Sequence, residues 1–352
     1  MKLSLLFMLF AFLAAALGFE PADKGQPSIV AVRIDGNLDL TGTLSDPRWN
    51  LGQPVEINSE YIPKEATPAR QRTTVKMLYS SDHVYFGFDC SDAHPEEIRA
   101  HLTDRDKFFT DDFVNVVLDT YGDNQHAYEF VLNPYGIQGD LLETGPTDDA
   151  SFDAVWESAA SINGHGWTAE LAIPLKSLRF PADSVQAWHV GFFRNYPRES
   201  EVQMSWPSID NNDPCSLCQM GLVQGLQDVE SANTVDLLPY LVGQQRSALV
   251  DNDDPASASE EGTIKLRAGG GIRFSPSTDW SLEAVVNPDF SQVETDAPQI
   301  SVNSNFGLFY PEKRPFFLFG AELFQNQTQT FYSRTINNPG WSGRVQIGRA
   351  HV

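Results

Sequence analysis

The acidic segment at residues 104–112 holds the side chains that could most directly bind a metal ion. Asp104 and Asp106 are followed closely by the adjacent pair Asp111 and Asp112. Calcium takes about six to eight hard oxygen ligands, and clustered carboxylates can supply several of them. The spacing does not match the regular helix-flanked calcium loop, which ends in a glutamate. The segment therefore predicts either a calcium site or a solvated loop of surface charge.

Two of the three cysteines form a C-x-x-C sequence. Cys215 and Cys218 have neither a second cysteine pair nor histidines at the spacing that a zinc site requires. In an oxidising compartment this arrangement predicts a disulfide that pins a local loop. Cys90 lies in a strand-like segment and is predicted to be a small buried hydrophobic residue.

The sequence lacks the short motifs that position a catalytic nucleophile, a zinc-bound water or a nucleotide phosphate. A glycosidase would need two carboxylates about 5–10 Å apart. Among 47 aspartates and glutamates, spacing alone singles out no such pair. The sequence therefore favours a non-catalytic role, with a glycoside hydrolase acting on O-glycosyl bonds as the enzymatic alternative.

The composition shows an acidic protein, and the N-terminal residues predict that it is exported. Lys and Arg total 24 against 47 Asp and Glu, giving a formal net charge of −23. This excess disfavours nucleic acid as a partner, since phosphate binding needs concentrated basic residues. Lys2, the apolar run at 3–17 and Gly18 predict a signal peptide at residues 1–18, with an uncleaved anchor helix as the alternative. The mature chain is then expected to begin near Phe19.

The segment at residues 111–140 predicts an antiparallel hairpin. Val114, Val116 and Leu118 alternate with their neighbours, and the same period of two recurs at 128–132 after a Gly-Asp-Asn turn. Further short strand-like segments, separated by turns, extend from residue 29 to residue 195 and predict an all-β sandwich. Three tryptophans in this region are predicted to be core residues: Trp49, Trp167 and Trp188.

Several of these segments carry a resemblance to a known family. They read, in chain order, DGNLDL, DPRW, TTVKMLYSSDHVYFGFDCSD, TDDFVNVVLDTYGD, YEFVLNPYGIQGD, VWESAA, GWTAELAIPLKSLRF and NYPRES. Over residues 28–210 this order resembles a family-9-type carbohydrate-binding domain. The resemblance implies an immunoglobulin-like or jelly-roll-type β-sandwich at residues 28–227, sugar held between aromatic rings, and structural calcium nearby.

The resemblance gives the tryptophans and arginines candidate roles. The apolar face of a pyranose packs on an aromatic ring, while polar side chains bind its hydroxyl groups. Trp156 and Trp206 are the predicted stacking platforms, with core packing as the alternative for each. Arg105 and Arg194 are the predicted hydroxyl-binding residues, with ordinary ion pairing as the alternative. The expected ligand is an oligosaccharide or polysaccharide.

The second half of the chain has a different pattern. Residues 264–274 and 280–287 alternate over about ten residues with short turns, which is typical of outer-membrane strands, with a soluble sheet as the alternative. The segment from 285 to 324, with its NPDF and EKRPFF sequences, resembles a barrel-associated bacterial domain of unknown function. We therefore expect residues 234–346 to form the first strands of an outer-membrane β-barrel. Residues 347–352 read as one frame of a sequencing adapter, which predicts a truncated gene.

These expectations lead to one function and two alternatives. The first is non-catalytic carbohydrate binding at the bacterial cell envelope, linked to polysaccharide breakdown or uptake. The second is an outer-membrane transport or assembly protein whose sandwich docks a partner. The third is a component of a glycoside hydrolase. The outer membrane is the expected second partner, through the barrel.

Overall fold

The computed structural model describes an all-β chain. The described residues are 26–143, 148–149, 152–229, 234–245, 247–250, 257–277, 280–288, 315–318, 333, 336 and 339–347. Within them the structure has strands, short 3-10 turns and one four-residue helix, α1 (Pro315–Leu318). The predicted signal peptide at residues 1–18 lies outside the described residues, as do residues 348–352. No helix among the described residues is long and apolar enough to cross a membrane.

Fourteen of the described strands belong to one continuous sheet. Along its main path the order is β10-β11-β5-β4-β3-β13-β12-β6-β7-β8-β9, and β1, β2 and β14 join at its side. The strands are β1 (Ser28–Val30), β2 (Val32–Arg33), β3 (Val55–Ile62), β4 (Thr67–Tyr79), β5 (His83–Ser91), β6 (Phe113–Asp119), β7 (Ala127–Leu132), β8 (Gln138–Glu143), β9 (Asp148–Asp149), β10 (Glu157–Asn163), β11 (Gly166–Pro174), β12 (His189–Pro197), β13 (Glu201–Trp206) and β14 (Gly221–Gln224).

This sheet folds over itself into two layers around one core. Phe86 on β5 packs edge-on against Phe192 on β12, with ring centroids 5.8 Å apart. The ends of the path meet where the Gln138 side-chain amide donates to the Trp156 carbonyl oxygen and the Ser158 hydroxyl, at 3.1 and 2.9 Å. The fold is therefore a sandwich, as the sequence predicted, and the sandwich is nearly closed.

The core is built from the inward faces of these strands. Val114, Val116 and Leu118 are completely buried, which confirms the alternation predicted for the 111–140 hairpin. The three tryptophans predicted as core residues are also buried, at 2, 0 and 0% exposure for Trp49, Trp167 and Trp188. Burying one large apolar side chain stabilises the folded state by about 1.5–3 kcal/mol relative to leaving it exposed. Burial of this core is therefore a main source of the sandwich's stability.

Cys90 lies in the core, as predicted. It is a free thiol with no exposed surface. Burial raises the pKa of this thiol to about 12. It is therefore a small apolar residue of β5 and not a reactive nucleophile.

A buried carboxylate holds the turn of the central hairpin. Asp119 accepts hydrogen bonds from the backbone N–H groups of Tyr121, Gly122 and Asn124, at 3.1, 2.8 and 2.8 Å. Burial raises the pKa of Asp119, but His189 and the turn N–H groups outweigh burial and hold this pKa below its ordinary value. The ionised carboxylate therefore stabilises the turn that joins β6 to β7.

Asp119→Asn should weaken the fold in a pH-dependent way. Because the folded-state pKa of Asp119 is lowered, its contribution is present above the ordinary carboxyl pKa and is lost as pH falls through the folded-state pKa. We expect the variant to lose about 1–2 kcal/mol of unfolding free energy near neutral pH. The deficit should shrink near pH 3, and urea unfolding of both proteins at the two pH values measures it. A deficit that is the same at both pH values would contradict the assignment.

The second half of the chain forms a separate four-stranded antiparallel sheet and a small hairpin. The sheet has the order β15-β18-β19-β20, and β16 pairs with β17. The strands are β15 (Thr234–Gln244), β16 (Ser247–Leu249), β17 (Ser259–Glu261), β18 (Lys265–Ser277), β19 (Trp280–Val286) and β20 (Trp341–Ile347). The predicted alternating strands at 264–274 and 280–287 are therefore present.

One face of this second sheet is apolar and exposed. The register places Leu237 opposite Ile272, and Leu282 opposite Val345, so apolar side chains follow one another across all four strands. Leu237 is 67% exposed. The opposite face carries the ion pairs of Glu283 with Arg273 and Arg344. A soluble sheet normally buries its apolar face, and here that face is the exposed one.

Candidate functional site

A groove of about 560 Å³ runs across the outward face of one sandwich layer. Strands β3, β13, β12, β6, β7 and β8 form its floor, and the loop after β13 forms one wall. The lining residues are Tyr61, Phe109, Phe113, Asn115, Val117, Glu129, Val131, Leu141, Glu143, Phe193, Arg194, Asn195, Gln203, Ile209, Asn211, Ser216 and Met220. This size and mixture of aromatic and polar side chains is typical of a small-molecule site.

Strand register decides which side chains meet in the groove. Since the core takes the even-numbered residues of β6, Phe113, Asn115 and Val117 face outward. The pairing of β6 with β12 and β7 places Asn115 between Phe193 and Val131. The floor is therefore a row of amide and apolar side chains fixed on regular strands.

The loop wall is closed by the predicted disulfide. Cys215 and Cys218 are bonded, with their Cα atoms 5.4 Å apart. Leu217 and Met220 of this loop pack against Val117 in a small apolar cluster outside the main core. Gly191 on β12 leaves the space that Met220 fills, because a Cβ at Gly191 would overlap the Met220 sulfur. The loop is thus held against the strand face by packing as well as by its own bond.

Aromatic rings lie at both sides of the groove. Phe109 is 41% exposed and stacks on the buried ring of Phe108, with centroids 5.4 Å apart and planes 19° apart. Across the floor, Tyr61 meets Phe193 edge-on at 5.8 Å. Phe109 is therefore a rigidly backed, partly exposed platform.

Two side-chain amides on the floor have oriented, unpartnered oxygens. Asn115 donates to the Glu129 carboxylate at 2.8 Å, and Asn195 donates to the backbone oxygen of Asp111 at 2.9 Å. Both partners can only accept, so each amide nitrogen must face its partner. The two Oδ1 atoms are buried and have no hydrogen-bond partner among the described residues. Buried polar atoms are rarely left unpaired. Both residues line the groove, but neighbouring atoms cover the two oxygens themselves.

A second cavity, of about 740 Å³, lies beside a buried ion network. Two of its three arginines already have partners: Arg70 lies 2.9 Å from Glu60, and Arg198 lies 2.7 Å from both Asp92 and Asp112. The Arg198 guanidinium packs over Tyr196, 4.0 Å from the centroid of the tyrosine ring. These contacts give Arg70 and Arg198 a structural role, and we take the groove as the stronger candidate although it is smaller.

The predicted stacking tryptophans are core residues in this structure. Trp156 is 5% exposed and packs edge-on against Phe130 at 5.4 Å. Trp206 is 8% exposed and stacks on Phe192 at 5.5 Å. A sugar platform needs an exposed ring face, so the structure corrects the expectation that these two rings lie on a binding surface.

The two predicted arginines also serve the fold. The Arg105 guanidinium, which is one-third exposed, binds Asp140 and the Ala154 carbonyl oxygen and so ties the loop before β10 to β8. Arg194 is fully buried, and it donates to the Thr73 hydroxyl and the Ser91 carbonyl oxygen on the opposite layer, both at 2.8 Å. Neither guanidinium faces the groove.

The predicted calcium ligands separate into different interactions. Asp111 accepts from the backbone N–H of His101, and Asp112 accepts from that of Arg99, both at 2.8 Å. Asp106 accepts from the backbone N–H of Asp140 at 3.0 Å, while Asp104 is exposed. No group of three or more metal-ligating side chains converges anywhere in the described part of the chain. Asp111 and Asp112 are buried and paired, so they match neither the calcium site nor the solvated loop.

Apart from Arg194, whose side chain is buried, the residues that line the groove were not singled out from the sequence. Phe113, Asn115, Phe193 and Asn195 occupy alternate positions of two strands, opposite in phase to the core residues. One feature of the sequence could have indicated them. The outward-facing positions of these strands carry aromatic and amide side chains, whereas exposed strand positions usually carry charged ones. Which of these residues meet across strands depends on register, and no local pattern gives it.

The disulfide should order the wall locally and add little to global stability. Replacing Cys215 and Cys218 together by serine removes a very short closed loop, which is worth at most about 2 kcal/mol. We expect faster amide hydrogen exchange at residues 209–220 and unchanged protection of β6 and β12 in the double variant. Hydrogen exchange followed by mass spectrometry measures both. Equal protection of the loop with and without the bond would contradict this role.

Comparison with known proteins agrees with this division of the chain. Residues 40–212 match the family described as carbohydrate family 9 binding domain-like, and residues 235–346 match a domain of unknown function, DUF5916. The search of curated proteins found no match.

Three solved structures are similar to part of this chain. A candidate carbohydrate-binding protein from Bacteroides uniformis has 12% identity and a TM-score of 0.48, covering 56% of this chain and 99% of its own. A family 9 carbohydrate-binding module from Caldicellulosiruptor kristjanssonii, in complex with glucose, has 14% identity and a TM-score of 0.43, covering 57% and 97%. Its cellotriose complex has 13% identity and a TM-score of 0.41, covering 56% and 95%. The sandwich is thus similar in sequence to the family 9 carbohydrate-binding domains, and the segment after it is similar to the DUF5916 domain.

Proposed function

We propose that the sandwich binds an oligosaccharide in the groove on its outward face. The observation that carries this proposal is the groove itself, in which a partly exposed, rigidly stacked ring, Phe109, lies beside a floor of amide and apolar side chains. The family match of residues 40–212 supports the same ligand class.

The groove suits the two surfaces of a pyranose ring. The C–H face packs on an aromatic ring, and the hydroxyl groups at the rim form hydrogen bonds with amides and carboxylates. Phe109 offers a ring on which the C–H face can pack, and the floor around Asn115 and Glu129 offers polar groups for the hydroxyl rim. Because the floor lies on paired strands, its polar atoms are fixed before the ligand arrives, which lowers the entropy cost of binding.

Phe109→Ala and Asn115→Ala should each weaken oligosaccharide binding by about tenfold, the loss of roughly 1.4 kcal/mol of contact energy. Isothermal titration of the purified chain with cellotriose, xylotriose and mannotriose measures the change. Tyr135→Ala is the matched control, because Tyr135 is 51% exposed and lies outside the groove. A Phe109→Ala protein that binds as tightly as the Tyr135→Ala protein would refute the groove as the site.

We further propose that this binding is non-catalytic and serves polysaccharide breakdown or uptake. The lining residues include two carboxylates, Glu129 and Glu143, each of which accepts a hydrogen bond from a neighbouring side chain of the floor or wall. Chromatography of the sugars recovered after long incubation with the protein tests this. Shortened products would favour the hydrolase alternative.

We propose that the protein acts at the bacterial cell envelope and that its second sheet contacts the outer membrane. The exposed apolar face of β15, β18, β19 and β20 supports this location, because lipid solvates such a face and water does not. It also favours the second candidate function, a membrane protein for transport or assembly whose sandwich docks a partner.

Replacing Leu237 and Leu282 together by Asn should reduce association with lipid vesicles while leaving the sandwich folded. Both side chains belong to the exposed apolar face, and a polar group placed in lipid is costly. Vesicle flotation of the two proteins measures the association, and Val185→Asn on the sandwich surface is the control. Equal flotation of all three proteins would count against a membrane-facing sheet.

A further inference from the structure

The groove is longer than a single sugar ring. Its lining extends from Tyr61 on β3, across β13, β12, β6 and β7, to Glu143 on β8. Neighbouring strands lie about 4.8 Å apart, so the five steps from β3 to β8 correspond to about 24 Å. Along β6 the lining extends only from Phe113 to Val117, which is about 13 Å at about 3.3 Å per residue. The long axis of the groove therefore crosses the strands.

The wall of the groove, residues 209–220, follows this long axis. At the β3 end, the Asn211 side-chain amide donates to the Tyr61 carbonyl oxygen at 2.8 Å. At the β8 end, the Ser216 hydroxyl donates to the Glu143 carboxylate at 2.7 Å. These two attachments lie at opposite ends of the six-stranded floor, so the wall forms a long side of the groove.

The exposed ring of Phe109 and the wall lie at different ends of β6. Phe109 packs edge-on against Phe113 at the start of this strand, with ring centroids 6.1 Å apart. Leu217 and Met220 of the wall pack with Val117, which lies towards the end of the strand. A ligand that lies between the ring and the wall is therefore directed across the strands.

The lining favours many small contacts over a few strong ones. More than half of its side chains are apolar or aromatic. Asn211 and Ser216 already donate to the protein, and the Tyr61 hydroxyl donates to Gln203 at 2.6 Å. Packing contacts are individually weak and become substantial only in large numbers. Tight binding on this surface therefore requires several consecutive sugars.

This inference rests on the proposed oligosaccharide binding and names the part of the glycan that is bound. We propose that the groove binds a run of consecutive sugars within a linear polysaccharide, lying across the strands beside the wall, and not a single sugar or a chain end. An extended, β-linked hexose chain advances per sugar by roughly the spacing of neighbouring strands, so the groove holds about five sugars. Because the contacts are spread along the groove, the sugar at the chain end contributes no more than the others.

A series of oligosaccharides of increasing length tests this inference. The purified chain is titrated calorimetrically with cello-, xylo- and manno-oligosaccharides, from the disaccharide to the hexasaccharide. In a series that binds, we expect the hexasaccharide to bind about a hundredfold more tightly than the disaccharide, since each further sugar adds contacts until the groove is filled. Reduction of the terminal sugar of the hexasaccharide with borohydride opens that ring and should leave the affinity unchanged.

Variants at the two ends of the groove locate the bound chain. Leu141→Ala at the β8 end and Gln203→Ala at the β13 end should each weaken hexasaccharide binding about tenfold and trisaccharide binding by less. Phe109→Ala should weaken the binding of both. Ile162→Ala is the matched control for Leu141→Ala, because Ile162 is 39% exposed on β10 and lies outside the groove. Circular dichroism checks the fold of each variant, and if one end variant is unfolded, the other provides the same comparison.

Each outcome decides between the two proposals. If a disaccharide binds as tightly as the hexasaccharide, or if reduction of the terminal sugar abolishes hexasaccharide binding, this inference is overturned. Oligosaccharide binding in the groove then stands, provided that Phe109→Ala still weakens it. If the end variants keep the length dependence of the parent, the chain does not lie along the groove, and the inference is overturned. If no series binds at any length, both proposals fall.

Discussion

The antiparallel pairing of β6 with β12 is the interaction on which both the core and the groove depend. Val116 pairs with Phe192 on the inward face, and Asn115 pairs with Phe193 on the outward face. A slip of one residue would bring Asn115 into the core and leave Val116 in water. The energy of core burial therefore fixes the register, and the register in turn places the amide and the ring side by side in the groove.

Buried charge fixes the loop that carries the exposed ring. Asp111 and Asp112 hold the backbone of residues 99–101 through their carboxylates, and Arg198 joins Asp112 to Asp92. Burial raises the pKa of Asp112, and Arg198 together with the Arg99 backbone N–H opposes that rise. Breaking such a network costs several kcal/mol, because it leaves an unpaired charge in the interior. These carboxylates thus help to position Phe109, which is separated from Asp111 only by Thr110.

The groove combines a rigid floor with an attached wall. The floor lies on central strands, whereas the wall is a loop held by the Cys215–Cys218 bond and by a few apolar contacts to Val117. Binding residues on strands keep their geometry, and loops vary more freely in sequence and shape. In the proposed binding site, sequence and shape can therefore vary in the wall, while the floor is constrained by its role in the fold.

The sequence by itself determined the all-β class, the central hairpin, the buried tryptophans and the C-x-x-C pairing, because each follows from local periodicity or spacing. It did not determine where Trp156, Trp206 and Arg194 point, because a tryptophan or arginine near a strand end fits a core or a surface equally well. Only the tertiary structure placed Asn115, Asn195 and Phe109 around one groove. Phe109 and Asn115 belong to one segment at the start of β6, whereas Asn195 belongs to β12. The pairing of these two strands, which are distant in sequence, brings Asn195 to the other two residues, and local patterns do not encode that pairing.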